Sequence, residues 1–337
     1  MGAMARPALA ALACALALTG CDVAGSREPL MDSRAPPELA ARFYPPQGWA
    51  WGLISAGGRP AQRYGVSSPP VVPRAEVVIL PGSGESAEMW FETARDLNAR
   101  GAVVWILDRA GQGGSARSAR PRECVHAPDP EADAAAVRAL RAAVAQGGPN
   151  RRMILLAADD AAAAALKALQ EGAPFDALVL SAPRLPGGPL SPLQSAAVRI
   201  GLGGLPADTA RAWSRDGPDD VALGLTHDPW RGRVRRAWAL ANPDLRDVGP
   251  TLATRAALVE TGQATLKGAA PRLPVLVLLP DRTPEGVEAL LRRLPEAETL
   301  RLKGARPALH LERDETRGPW LAAVARIAGL PQSPLTD

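Results

Sequence analysis

The chain has 337 residues, of which 47% are hydrophobic and 22% are charged. This length and apolar content allow a substantial buried core, which excludes a disordered protein and fits one large α/β domain with an insertion, or two smaller domains. The formal net charge is only +4 and the 39 Lys and Arg residues are scattered, so nucleic acid is not expected as a partner.

The first residues have the pattern of a secretion signal. Arg6 supplies the positive charge, and residues 7–18 form an apolar stretch too short for a transmembrane helix. The stretch ends in Leu-Thr-Gly-Cys at Cys21, which resembles the bacterial lipoprotein box, where the cysteine is lipidated and becomes the mature N-terminus. An ordinary cleaved signal peptide or a short anchor is the alternative.

The lipoprotein interpretation fixes several expectations. It predicts a signal peptide at residues 1–20 and a tether at residues 21–48, attached to membrane lipid through Cys21. A lipid anchor holds a protein on a membrane without spanning it. The expected location is therefore the bacterial cell envelope, lipid-anchored and facing the periplasm.

After the tether, short apolar runs alternate with segments of helical periodicity. A hairpin is predicted at 51–54 and 62–66, and buried strands at 76–80, 103–107, 153–156, 177–180, 275–279 and 299–302. Helices are predicted at 85–99, 133–145, 161–170, 284–294 and about 312–327. This alternation predicts an α/β fold with a mostly parallel sheet and helices on both faces.

One segment interrupts the alternation. Residues 183–266 are rich in Gly, Pro and Trp and contain only polar-flanked helical pieces. We interpret this segment as an inserted cap. It would divide the core into a first part at residues 49–182 and a second part at residues 267–337.

Several motifs resemble the bacterial lysophospholipase and monoacylglycerol-lipase-like branch of the α/β-hydrolases. The most specific is Leu-Asp-Arg-Ala-Gly-Gln-Gly-Gly-Ser at 107–115, which is similar to the branch's Asp-x-Arg-Gly-Gln-Gly-x-Ser signature with Ala110 in place of the arginine. Asp108 and Gln112 are expected to support the loop beside the pocket. Further matches lie at 80–90, 95–101, 175–183, 225–229 and 312–317. The resemblance, from Trp49 onwards, implies an α/β-hydrolase fold, hydrolysis of carboxylic esters or lipids, and no cofactor or metal ion.

Such hydrolases use a serine nucleophile in a Gly-x-Ser-x-Gly elbow, and here that position falls on Asp159 within Ala-Ala-Asp-Asp-Ala. An aspartate is the nucleophile of haloalkane dehalogenases and epoxide hydrolases on this fold. The alternative is that Asp159 or Asp160 caps the helix starting at Ala161. We favour capping, because Ala157 and Ala161 replace the glycines that let the strained turn close.

The remaining catalytic positions are also altered. Asp281 can fill the acid position, with a turn residue or helix cap as the alternative. The base position falls on Pro307, which cannot transfer a proton, and His310 three residues later is the candidate base or else a local cap or surface residue. The oxyanion loop is assigned to Gly82 and Ser83, with Asp160 following the nucleophile position.

Replacement of two triad members should remove most ester hydrolysis. The sequence therefore predicts a lipid-anchored hydrolase-fold protein with a degenerate triad, which binds an acyl or lipid ligand in a cap-covered pocket, or a protein. One alternative is an active hydrolase, acting on lysophospholipid or monoacylglycerol esters or through Asp159 with His310 and Asp281. Another is a structural envelope protein. Whether the chain is an enzyme stays open at this point.

Overall fold

The computed structural model describes residues 27–117, 123–148, 151–186, 188–207 and 213–335. The predicted signal peptide at 1–20 and the lipidation residue Cys21 lie outside the described residues. Within the described ranges, no helix has both the length and the apolar character that a membrane span requires.

The described part of the expected tether lies against the folded body. Phe43 is only 2% exposed and belongs to a hydrophobic core, against which Leu30 and Leu39 also pack. The backbone N–H of Arg34 donates to the side-chain oxygen of Asn242 at 2.7 Å. From Arg27 onwards, these residues are therefore packed rather than free.

A single sheet organises the described part of the chain. Its eight strands are β1 (Ala50–Ile54), β2 (Gln62–Ser67), β3 (Ala75–Leu80), β4 (Ala102–Leu107), β5 (Arg152–Ala158), β6 (Ala177–Ser181), β7 (Val275–Leu279) and β8 (Glu298–Arg301). Their spatial order is β1-β2-β4-β3-β5-β6-β7-β8. The β1–β2 and β2–β4 pairs are antiparallel, and every later pair is parallel. All residues of β3, β6 and β7 are buried, as in a parallel sheet covered on both faces.

Helices cover both faces of this sheet. They are α1 (Phe91–Asn98), α2 (Ala132–Ala143), α3 (Ala161–Gln170), α4 (Pro192–Ala197), α5 (Val234–Ala241), α6 (Leu252–Lys267), α7 (Val287–Arg293) and α8 (Asp314–Ile327). Residues of α1 and α8 share one buried cluster, and residues of α2, α3 and α7 share the other. The predicted α/β architecture is confirmed, and α4, α5 and α6 lie in the segment between β6 and β7.

The helix predicted at 85–99 is shorter than expected. A 3-10 turn occupies Ala87–Trp90 and the α-helix begins only at Phe91. The cause is tertiary, because the N–H of Ala87 donates to the Asp108 carboxylate and Glu88 binds a buried arginine. These contacts hold the first turn out of α-helical register.

The parallel strands bring the candidate site residues to one edge. The loops that follow β3, β5, β6 and β7 all leave from the carboxyl edge of the sheet, which is where ligands bind in open α/β folds. Gly82, Asp159 and Asp281 lie on three of these loops.

Candidate functional site

The turn between β5 and α3 forms a strained elbow. Asp159 has a φ of 50°, in the left-handed region that aspartate visits more readily than most side chains. Its N–H donates to the carbonyl of Ser181 on the neighbouring strand at 3.0 Å. Ala157 and Ala161 are both fully buried, so their methyl groups are accommodated, and the expectation that they would prevent this turn from closing is wrong.

The side chain of Asp159 is bound by a cation on the loop that follows β6. Both carboxylate oxygens accept from Arg184, Oδ1 from Nε at 2.7 Å and Oδ2 from Nη2 at 3.0 Å. This bidentate geometry is the strong form of an arginine–carboxylate pair. Ala182, with a φ of 48°, turns the chain so that the N–H of Arg184 also donates to the Asp159 carbonyl. Burial and the neighbouring Asp160 carboxylate raise the pKa of Asp159.

Asp160 joins the elbow to two other loops. Its Oδ2 accepts from the Ser83 hydroxyl at 2.5 Å, and its Oδ1 accepts from Nη1 of Arg109 at 2.6 Å. Arg109 also donates to Asp133 at 2.8 Å. Although burial opposes ionisation, Arg109 and Arg184 keep the pKa of Asp160 below its usual range.

The expectation that an aspartate side chain caps α3 is wrong. Asp160 is the N-cap residue, but its side chain accepts no N–H from the helix. The carboxylate of Asp159 is bound to Arg184 instead. Ion pairs made across the fold have replaced the local hydrogen bonds that the sequence suggested.

The oxyanion loop is occupied by a buried carboxylate. The N–H of Gly82 donates to Oε2 of Glu85 at 2.9 Å, and the indole of Trp90 donates to the same oxygen at 3.0 Å. Burial raises the pKa of Glu85. A Cβ on Gly82 would lie 2.8 Å from the Asp159 Cβ, so glycine is required for this close approach.

Asp108 and Gln112 support this loop, as the sequence indicated. The amide of Gln112 donates to the carbonyl of Gly82 at 2.8 Å. Asp108 binds the fully buried Arg63, which also pairs with Glu88. Because all three charged groups are fully buried, this network fixes the loops after β3 and β4 against each other.

Asp281 and Pro307 lie on adjoining loops. The N–H of Asp281 donates to the carbonyl of Ala305 at 2.9 Å, and its Oδ1 accepts from the N–H of Gly304 at 3.1 Å. Asp281 is exposed, as is Pro307, three residues beyond Gly304. The positions expected for the acid and the base are therefore neighbours, but no proton-transferring side chain stands at the second.

His310 is a core residue and not a surface residue. Its ring is 2% exposed and stacks on Trp90 with centroids 3.7 Å apart. Its Nε2 lies 3.6 Å from Oε1 of Glu85 and has no hydrogen-bond partner among the described residues. Burial and the cation of Arg317 hold its pKa well below the ordinary value.

A cavity of about 230 Å³ opens beside the elbow. It lies between the core and the segment after β6, with Ser83, Arg109 and Asp160 on the core side and Arg235 and Leu258 on the other. Asp159 is not part of its lining. Within the described ranges, no group of three or more potential metal ligands is arranged to hold an ion.

The sequence did not single out Arg184, Arg109 or Glu85 as site residues. The available signal was their position, since each follows within five residues of the end of a buried strand. The carboxylate partners of Arg184 and Arg109 are 24 or more residues distant, and the contacts of Glu85 with Gly82 and Trp90 depend on how the loop packs. Spacing alone could not identify these pairs.

Comparison with known proteins places this geometry in a family. Residues 72–306 match the family model described as serine aminopeptidase, S33. No curated protein matches the chain.

Solved structures match the fold at low sequence identity. A soluble variant of the monoglyceride lipase from Saccharomyces cerevisiae aligns with a TM-score of 0.61 at 15% identity, covering 84% of this chain and 97% of that one. The monoacylglycerol lipase of Paleococcus ferrophilus aligns with a TM-score of 0.57 at 18% identity, covering 78% and 98%. A carboxyl esterase from Bacillus coagulans aligns with a TM-score of 0.59 at 15% identity, covering 84% and 100%. The expected α/β-hydrolase fold and the resemblance to its monoacylglycerol-lipase-like branch are thereby confirmed.

Proposed function

The chain belongs to the hydrolase family described as serine aminopeptidase, S33, and we propose that in this member the lipase-type and esterase-type scaffold binds a ligand without hydrolysing it. The ligand would be an acyl compound or a lipid taken into the cavity between the core and the segment after β6. A protein partner is the other form that such binding could take.

One observation carries the proposal. The carboxylate at the nucleophile position is bound on both oxygens by Arg184, while the base position holds Pro307. An aspartate nucleophile needs a free oxygen directed at the substrate and a base that activates water for the second step. Asp159 meets neither requirement in this arrangement.

The oxyanion loop supports the same conclusion. In an esterase, backbone N–H groups of this loop are directed at the oxyanion that forms in the transition state. Here the N–H of Gly82 already donates to Glu85. Losing one such donor costs about 10²–10³-fold in kcat, in addition to the loss of the nucleophile and the base.

Hydrolysis and ligand retention should be measured on the same purified protein. It is incubated with p-nitrophenyl butyrate, monoacylglycerol, lysophospholipid and an epoxide, beside the isosteric variant Asp159→Asn. We expect no turnover above the uncatalysed rate in either protein, and recovery of intact monoacylglycerol with the protein after gel filtration. Turnover that disappears in the variant would contradict the proposal, and so would the absence of both turnover and retained ligand.

An active hydrolase is the second candidate, and the conformation of the elbow favours it. Asp159 retains the left-handed φ and remains one-third exposed at the carboxyl edge of the sheet. Its carboxylate would attack an epoxide carbon, breaking the carbon–oxygen bond of the ring to leave an alkoxide that takes up a proton, and activated water would then hydrolyse the resulting aspartyl ester. No base for that water lies at the family position, so the experiment above should decide against this candidate.

We also propose that Cys21 carries a lipid that anchors the protein in the bacterial cell envelope, facing the periplasm. The support is the Leu-Thr-Gly-Cys sequence that ends the apolar stretch. Labelling with a clickable palmitate analogue should mark the protein, and Cys21→Ser should abolish labelling and release it from the membrane fraction. The matched control is Cys14→Ser, which should leave labelling unchanged.

A further inference from the structure

A second cavity of about 250 Å³ adjoins the first and has no part in the site described so far. It lies under the turn after β1, between the 110–116 loop and residues 126–132. Ala61, Ala116 and Pro128 contribute apolar surface to it, and Gln62 and His126 also face it.

The two cavities share a wall made mostly of alanine. Ala110, Ala127, Ala132 and Asp129 line both of them. The Asp129 carboxylate is paired with Arg59 at 2.6 Å. At the other three positions, the side chain that lines both cavities is a single methyl group.

We infer that the two cavities take one amphiphilic ligand, with a neutral hydroxyl-bearing head near Ser83 and Arg235 and an alkyl tail that crosses Ala110 into the second cavity. Pockets for small molecules usually have volumes of about 300–1,000 Å³. Each cavity alone, at about 230 and 250 Å³, falls below that range, but together they enter it.

Charge selects a neutral head over a carboxylate. Four carboxylates line the first cavity, those of Asp129, Asp133, Asp160 and Asp247, against the two guanidinium groups of Arg109 and Arg235. Both guanidinium groups are already paired, Arg109 with Asp133 and Asp160, and Arg235 with Asp220 at 2.8 Å. A ligand carboxylate would therefore meet an acidic lining, whereas hydroxyl groups can both donate to carboxylates and accept from arginine.

Ala110 is the residue that controls the length of the tail. A leucine at this position would fill the shared wall and confine the ligand to the first cavity. The head would bind as before, but methylene groups beyond Ala110 would have no apolar surface to bury against. Ala110 is thus assigned as a specificity-determining residue for tail length.

The test is a chain-length series of 1-O-alkylglycerol ethers, from butyl to decyl, titrated by calorimetry into the full protein. Ether bonds are not hydrolysed, so binding is measured independently of any turnover. Each buried methylene should tighten binding about fourfold. In Ala110→Leu the butyl ether should bind within about twofold of the unsubstituted protein, whereas the octyl ether should bind at least about tenfold more weakly.

Two further variants keep the test decisive. Ala142→Leu, on the exposed surface of α2, is the matched control and should leave the whole series unchanged. Ala61→Leu, inside the second cavity only, should weaken the longer ethers and would serve if Ala110→Leu failed to fold. Octanoate, which has a carboxylate head, should bind at least about tenfold more weakly than the octyl ether.

This inference rests on the proposed function, and the outcomes separate the two. If affinity increased equally with each added methylene in the unsubstituted protein and in both cavity variants, the proposal that the tail enters the second cavity would be overturned. Ligand binding itself would stand. Octanoate binding as tightly as the octyl ether would overturn the neutral head. If no ether of any length bound, the inference and the proposal of lipid binding would both be refuted.

Discussion

Introducing the catalytic groups of the family tests whether their replacement accounts for the absence of turnover that we propose. The double variant Asp159→Ser with Pro307→His places a hydroxyl on the existing elbow and an imidazole beside Asp281. The elbow already has the required left-handed turn at a φ of 50°. Two hydrogen bonds already join the loop of Pro307 to Asp281: the Ala305 carbonyl accepts from the N–H of Asp281, and the N–H of Gly304 donates to the Asp281 carboxylate. We therefore expect the variant to hydrolyse p-nitrophenyl butyrate.

The size of the gain follows from what the structure retains. A complete triad contributes about 10⁶-fold to kcat. The N–H of Gly82 stays bound to Glu85, and a missing oxyanion donor costs about 10²–10³-fold. The difference leaves an expected gain of about 10³-fold or more in kcat over either single variant.

The assay is initial-rate hydrolysis, together with labelling by a fluorophosphonate, which reacts only with an activated serine. Both single variants serve as controls and should remain at the background rate. Thermal unfolding establishes that all three proteins are folded. If the double variant is folded and yet shows neither turnover nor labelling, the reasoning is refuted: the scaffold itself would lack the catalytic geometry, and replacement of two side chains would not account for the proposed lack of turnover.

Three other substitutions test titratable and charged groups near the site. Arg63→Met leaves two fully buried carboxylates without their cation and should lower the free energy of unfolding by about 3–5 kcal/mol in urea titrations. Arg184→Ala breaks a pair whose side chains are both about one-third exposed, so stability should change by less than about 1 kcal/mol. Since Arg184 favours the ionised form of Asp159, the same variant should raise the pKa of Asp159, measurable by NMR. The pKa of buried His310 is depressed in the folded protein, so below the ordinary pKa of about 6.5 the unfolded state binds more protons than the folded state. The free energy of unfolding should therefore decrease as the pH is lowered below about 6.5. The variant His310→Phe should show a smaller decrease.

The sequence predicted the sheet well because the physics of buried parallel strands is local. A strand covered on both faces is a continuous apolar run, and the strand predicted at 275–279 is observed with those bounds. The helix predicted at 85–99 was too long. Glu88 fits helical spacing, but its buried ion pair with Arg63 holds it in a 3-10 turn before the α-helix begins. Arg63 lies 25 residues before Glu88 in the sequence, and periodicity within a segment cannot detect such a distant pair.

The site was predictable in position but not in its contacts. The strand–turn–helix pattern correctly located the elbow at Asp159. Its carboxylate, however, binds an arginine 25 residues away, and the Asp160 carboxylate binds Ser83, 77 residues away. A local cap was the sensible expectation from spacing, because nothing in the sequence states which loops meet at the carboxyl edge of the sheet.

The retained strain of the elbow now has a structural account. A left-handed residue with a side chain costs about 1–2 kcal/mol, and in a hydrolase that cost serves to present a nucleophile. Here the same turn lets Asp159 and Asp160 reach cations on two different loops, those of Arg184 and Arg109. The elbow thus joins the loops after β4 and β6 through paired charges. Because Arg184 occupies both oxygens of the Asp159 carboxylate, a ligand bound as proposed would lie beside the elbow, where the cavity on the Ser83 side provides the space.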